Sequence, residues 1–182
     1  MLRGLMRTPV LYSLLVAAAL AALPAHAVED AELAKYWSRD AEHVPYRALL
    51  TGKPVRGEHV PLVVFLHGDW QDGQDNEAQL AGYGNGSMQL IDQARKAGQV
   101  LVYIAPQTTD GYWPPARVAA AVRDALHTFP IDPRRIVLTG ISNGGSGVWD
   151  TLKRYPHCFA AGPKARSCPT WARPRQSSAD SA

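Results

Sequence analysis

The chain has 182 residues, 46% of them hydrophobic and 19% charged, with a formal charge of +3. That is the make-up of a globular protein long enough to bury a core, and two cysteines are too few for a disulfide framework. Without Arg3 and Arg7, 17 basic side chains face 16 acidic ones, a balance that gives no reason to expect nucleic acid or an anionic surface as partner.

Met1–Arg7 carries those two arginines and no acid, Val10–Leu23 is apolar, and Ala25–His26–Ala27 has the A-x-A form of a cleavage site. Residues 1–27 therefore predict a secretory signal peptide, with an apolar run too short for a comfortable membrane span. No cysteine follows the expected cut, so no lipid anchor is expected, and 155 residues form the mature chain. Its location is expected to be the periplasm or the medium. Cys158 and Cys168 are free to pair in such a compartment, and nothing in their spacing decides whether they do. No Cys/His cluster has metal-ligand spacing.

Val28–His43 reads as a polar, partly helical lead-in, with Leu33, Tyr36 and Trp37 on one face. Tyr46–Leu50 reads as a short strand, followed by a Gly/Pro/charged loop through Glu58. After Pro61, Leu62–Leu66 is continuously apolar, as in a strand covered on both faces of a parallel sheet. His67–Gly68–Asp69–Trp70 follows, then a polar loop, Gln71–Gln79, and a glycine-rich stretch, Gly82–Gly86, with no strand before it to make a phosphate cradle. Ser87 is placed to cap a helix through Met88, Ile91 and Ala94, closed by Gly98. Gln99–Ala105 reads as a second buried strand stopped by Pro106, and Thr108–Trp113 as a loop whose Tyr112 and Trp113 either line a cleft or pack in the core. Pro114–Pro115 opens the clearest helix, with Val118, Ala121, Val122, Ala125 and Phe129 at helical spacing and Pro130 at its end. Asp132–Pro133 predicts a turn into a third apolar strand.

That strand, Arg135–Thr139, runs into Gly140–x–Ser142–x–Gly144 and then a helix from about Gly144 to Tyr155. G-x-S-x-G between strand and helix is the arrangement that lifts a serine hydroxyl out at the carboxyl end of a sheet. The spacing of Gly140, Ser142 and Gly145 also imitates a dinucleotide loop without its middle glycine. The acidic residue that loop requires about 20 positions on is replaced by Lys164 and Arg166. A serine nucleophile needs a base, and its tetrahedral intermediate needs hydrogen-bond donors. The donors expected here are the backbone N–H of Asn143 and that of Asp69, with Trp70 in reserve. His67 is read as a hydrogen-bonded organiser of its loop and not as the base. The alternation of strands and helices predicts an α/β fold, a mainly parallel sheet with helices on both faces.

The stretches PLVVFLHG, GQDN, IAPQ, Trp113, IDPRRIVLTGISNGG and RYPHCFAA stand in an order that resembles the α/β-hydrolase superfamily. The nearest likeness is to secreted esterases similar to polyhydroxybutyrate depolymerases and feruloyl esterases, and to prolyl-oligopeptidase-like predicted peptidases. It covers about Tyr46 to Ala161. It implies hydrolysis of a small-molecule or polymer ester through an acyl-enzyme on Ser142, with Asn143 and Asp69 as the oxyanion hole and no cofactor or metal. A serine peptidase and a non-catalytic binding or vestigial module are the alternatives. The sequence leaves the oligomeric state open.

The superfamily places its acid and then its histidine after the serine. Only 40 of the 182 residues follow Ser142, and they hold Asp150, Asp180 and His157, none well placed. Residues 162–182 are rich in Pro, Arg and Ser without periodicity and read as a disordered, frame-shift-like tail. The expectation is an α/β-hydrolase domain over residues 28–161 lacking its last strands, acid and base, of doubtful activity, with the nucleophile strand exposed along one edge.

Overall fold

The computed structural model describes residues 30–81, 86–160 and 168, so the predicted signal peptide and all of the predicted tail except Cys168 lie outside the described residues. Five strands form one sheet in the order β1-β2-β4-β3-β5. They are β1 (Ala34–Trp37), β2 (Pro45–Leu50), β3 (Val60–Leu66), β4 (Val102–Pro106) and β5 (Ile131–Gly140). β2 runs antiparallel to both neighbours, while β4, β3 and β5 pair in parallel, so four of the five strands point the same way. α1 (Ser87–Lys96) connects β3 to β4, α2 (Pro115–Thr128) connects β4 to β5, and α3 (Asn143–Arg154) follows β5.

The apolar runs of β3 and β4 lack alternation because both faces are covered. Leu62, Val64, Leu66, Val102 and Ile104 join a core with Val118, Ala121, Val122 and Ala125 of α2, and Val148 and Leu152 of α3 pack against it. Val63, Phe65, Tyr103 and Ala105 face the other way, against Ile91 and Ala94 of α1. Successive side chains of a strand point to opposite faces, so one continuous run feeds two cores.

Four expectations need correction. The lead-in is not helical around Tyr36: β1 pairs with β2, Tyr36 opposite Tyr46, their rings stacked at 5.3 Å. Leu33, Tyr36 and Trp37 have helical spacing, but a segment this short gains more by completing the edge of β2 than by closing a single helical turn. Ser87 does not cap α1; Gly86 holds that position, and the buried Ser87 hydroxyl is taken by the Tyr103 hydroxyl. β4 starts at Val102 and not at Gln99, because the Gln99 N–H bonds back to Ala94 O and closes the helix end. Asp132–Pro133 is no separate turn. β5 runs through it as an irregularity, its register moving from Val60↔Ile131 to Leu62↔Ile136. The Asp132 carboxylate holds this bulge by accepting from the Arg134 N–H at 3.0 Å and from Arg135 Nε at 3.0 Å.

β5 forms the edge of the sheet among the described residues. One hydrogen bond reaches its outer side, from the Ala160 N–H to Ile136 O at 2.7 Å. Cys158 and Cys168 form a disulfide, and both are buried in the same apolar core as Phe159.

Candidate active site

At the end of β5 the chain turns into α3 through Ser142, whose backbone lies at φ 52° and ψ −122°. A side chain rarely adopts that conformation, which costs about 1–3 kcal/mol and persists only where the surroundings enforce it. Two hydrogen bonds and the close packing of two glycines enforce it here. The Ile141 N–H donates to Leu66 O at 3.1 Å, and the Gly144 N–H donates back to Ile141 O at 2.8 Å. The glycines on either side let the backbones close: a Cβ on Gly140 would lie 2.7 Å from Gly144 C and 2.8 Å from Leu66 O. One on Gly144 would lie 2.1 Å from Leu66 O. The turn is thus wedged against the end of β3, and Ser142 is left exposed at its tip.

α3 begins beside it. The Gly145 and Ser146 N–H groups both donate to Ser142 O, whereas the Asn143 N–H has no protein acceptor among the described residues. Such a free N–H at a helix start carries partial positive charge. The Asn143 side chain donates to Asp69 Oδ1 at 3.1 Å, tying the start of α3 to the loop after β3. Gly111, at φ +63°, fits against this pair; a Cβ there would meet Asp69 Oδ1 at 2.4 Å.

The loop after β3 is fixed from below. His67 is 1% exposed, its ring edge-on to Trp113. Its Nδ1–H donates to Gly68 O at 2.6 Å and its Nε2 accepts the Thr108 N–H at 3.1 Å, which defines the neutral tautomer. Burial pushes its pKa below the ordinary value, only partly offset by the bond to Gly68 O. With both nitrogens occupied, His67 organises the loop, as its position in the sequence suggests. Asp72 lies 3.9 Å from His67 Nδ1. Burial raises its pKa and Asp69 and Asp110 add to the effect, while the Gly111 N–H opposes it. Asp69 itself opens a single 3-10 turn, Asp69–Gln71, and neither its N–H nor that of Trp70 has a protein acceptor among the described residues.

Ser142, Asn143 and Asp69 are therefore brought together: a Cβ on Gly68, next to Asp69, would stand 3.5 Å from Ser142 Cβ. Trp113 packs in the core beneath Gly147, and its indole N–H donates to His67 O at 3.1 Å. Tyr112 and Trp70 remain exposed. Asp150 faces Lys153 at 3.8 Å, His157 is exposed, and Asp180 lies outside the described residues. No imidazole or carboxylate hydrogen-bonds the Ser142 hydroxyl among the described residues. Sequence reasoning missed the buried carboxamides of Gln71, Asn76, Gln79 and Gln107, all at most 2% exposed. For Gln71, Asn76 and Gln79 the signal in composition was the crowding of Gln and Asn into one loop, which reads equally well as a solvated surface; Gln107 lies outside it, at the end of IAPQ.

No protein-family profile and no curated protein matches this chain. Among solved structures it is similar to one described as a thermostable esterase, with 27% identity over 72% of this chain and 40% of that one, at a TM-score of 0.64. It is also similar to a ferulic acid esterase, with 16% identity, 69% and 55% coverage and a TM-score of 0.52, a likeness of fold alone. The chain thus spans 40% and 55% of the lengths of these two proteins.

Proposed function

The fold is that of the α/β-hydrolases, and we propose that on it this chain carries the nucleophile and oxyanion hole of an exported serine hydrolase of carboxylic esters. The observation that carries the proposal is the wedged Ser142 at φ 52°, exposed between the loop of Asp69 and an Asn143 N–H that has no protein acceptor among the described residues. The likeness to a thermostable esterase supports the ester preference, and the leader-like residues 1–27 support export.

In this reading Ser142 Oγ attacks the ester carbonyl carbon and gives up its proton to solvent water, since no base stands beside it among the described residues. The carbonyl oxygen takes the negative charge and accepts from the Asn143 and Asp69 N–H groups, fixed in place before the charge appears. Collapse of the tetrahedral intermediate expels the alcohol and leaves an acyl-Ser142, which water hydrolyses. The described residues provide no base for either half-reaction. An aryl ester, whose leaving group needs little protonation, acylates Ser142 more readily than water can remove the acyl group. The acyl-enzyme should accumulate.

Exposure of the folded protein to 4-nitrophenyl acetate, followed by mass spectrometry of the proteolytic peptide that contains Ser142, tests this. An acetyl group on Ser142, absent from Ser142→Ala, is the expected result. That no base reaches Ser142 among the described residues supports a second reading, a hydrolase-fold module that does not catalyse. An unmodified Ser142 in folded protein would establish that reading in place of the first.

A further inference from the structure

The loop after β3 offers several backbone N–H groups within a few residues, and an oxyanion hole works only when the right one is aimed. Gly68, on which a Cβ would stand 3.5 Å from Ser142 Cβ, has both of its peptide groups consumed. Its C=O accepts from His67 Nδ1–H and, at 3.4 Å, from the Gln71 N–H. Its N–H donates to the side-chain Oε1 of Gln71 at 3.1 Å. Gln71 cannot swing away, because its Nε2 donates to Gln79 O at 3.3 Å and to Ala81 O.

These anchors are themselves held. Gln107 Nε2 donates to Gln71 O at 3.4 Å and to Asp75 Oδ1 at 2.8 Å, and its Oε1 accepts the Asn76 N–H at 2.8 Å. Asn76 Nδ2 donates to Tyr36 O at 2.8 Å and Tyr46 O at 3.2 Å, on β1 and β2. A chain of buried amides therefore runs from the far edge of the sheet to the peptide beside Ser142. Buried polar groups without partners are costly, so such a chain has few alternative arrangements.

We propose that Gln71 is a positioning residue for the oxyanion hole: by binding the Gly68 N–H it withdraws that donor and fixes the turn so that the Asp69 N–H is the one presented to the substrate oxygen. This rests on the reading of Ser142 as nucleophile, and the test separates the two. Gln71→Leu fills the same volume without polar atoms. Gln71→Glu, when protonated, restores both functions: its C=O accepts from Gly68 and its O–H donates to Ala81 O. When ionised, it sets a charge against the Gln79 and Ala81 carbonyls.

Two quantities are read: hydrogen-exchange protection of the Gly68 amide, with β3 amides as internal reference, and the rate at which a fluorophosphonate labels Ser142. Gln71→Leu should lose about tenfold in Gly68 protection, the worth of one net hydrogen bond, with β3 protection unchanged. Labelling should slow about tenfold or more, as for a misplaced oxyanion donor. Gln71→Glu should recover protection at acid pH and lose it as the carboxyl ionises, which a mere volume-filler would not do. Unchanged Gly68 protection in Gln71→Leu, or a Gln71→Glu protein indifferent to pH, would overturn the proposal. If the wild type is not labelled at Ser142, the nucleophile reading fails, while the Gly68 exchange still decides the role of Gln71.

Discussion

Gly144 and Gly145 are adjacent on α3, yet their surroundings demand different things. A Cβ on Gly144 would sit 2.1 Å from Leu66 O and 2.6 Å from His67 O, both backbone atoms that cannot yield without moving β3. A Cβ on Gly145 would meet nothing closer than Gly140 O at 3.9 Å. Gly144→Ala should therefore destabilise by about 2–4 kcal/mol. Gly145→Ala should be neutral or stabilising by up to about 1 kcal/mol, the helix propensity gained. Denaturant midpoints of the two variants check this, and equal midpoints would contradict the wedge. His67 supplies a second residue-scale prediction. Its pKa is depressed in the folded state, so the unfolded ring binds the proton first as pH falls. The contribution of neutral His67 is complete above about pH 6.5, the unfolded value, and is lost below it as pH drops through the folded value. Midpoints measured from pH 8 to 5 should fall. In His67→Asn, which keeps a donor near the Nδ1 position, that part of the decline should flatten.

At the scale of elements, the disulfide joins Cys158, just after α3, to Cys168 in the same apolar core. Cys158 and Cys168 are ten residues apart and both buried, and between Cys158 and the outer edge of β5 lies the Ala160 hydrogen bond to Ile136 O. Closing a loop of this length contributes about 2–3 kcal/mol through the unfolded chain. The Cys158→Ser/Cys168→Ser double variant should melt lower by a corresponding amount, and reduction should bring the wild type to the same midpoint. A reduced wild type as stable as the oxidised one would remove the disulfide from the account. β3, β4 and α2 are legible in the sequence because each is dictated locally: by uninterrupted apolar residues for the strands, and by prolines at both ends and helical spacing for α2. The strand–serine–helix turn is legible for the same reason, since the glycine requirement falls within five residues. β1 is not, because its strand form depends on Tyr46 and Phe129, far along the chain. The bulge in β5 depends on how β3 meets it, and the buried amides depend on the loop folding back beneath β4. Nor does the spacing of two cysteines decide whether they pair.

Among the described residues, one sheet separates two apolar cores and carries the candidate site at the carboxyl ends of β3 and β5. The β5 side is less fully covered: Val137 is 45% exposed and, with Val63, Leu90, Ala94, Leu101 and Thr139, lines an open groove between β5 and α1. The chain spans 40% of the thermostable esterase it resembles, and no base reaches Ser142 among the described residues. On the proposed reading, Ser142 is the nucleophile and the Asn143 and Asp69 N–H groups are its oxyanion donors. The most direct test is a crystal structure of the protein after treatment with a fluorophosphonate. The account predicts a phosphonate bonded to Ser142 Oγ. Its phosphoryl oxygen should lie about 2.7–3.1 Å from the Asn143 and Asp69 nitrogens. A phosphonate attached elsewhere, or one on Ser142 whose oxygen turns to solvent and away from both N–H groups, would contradict it.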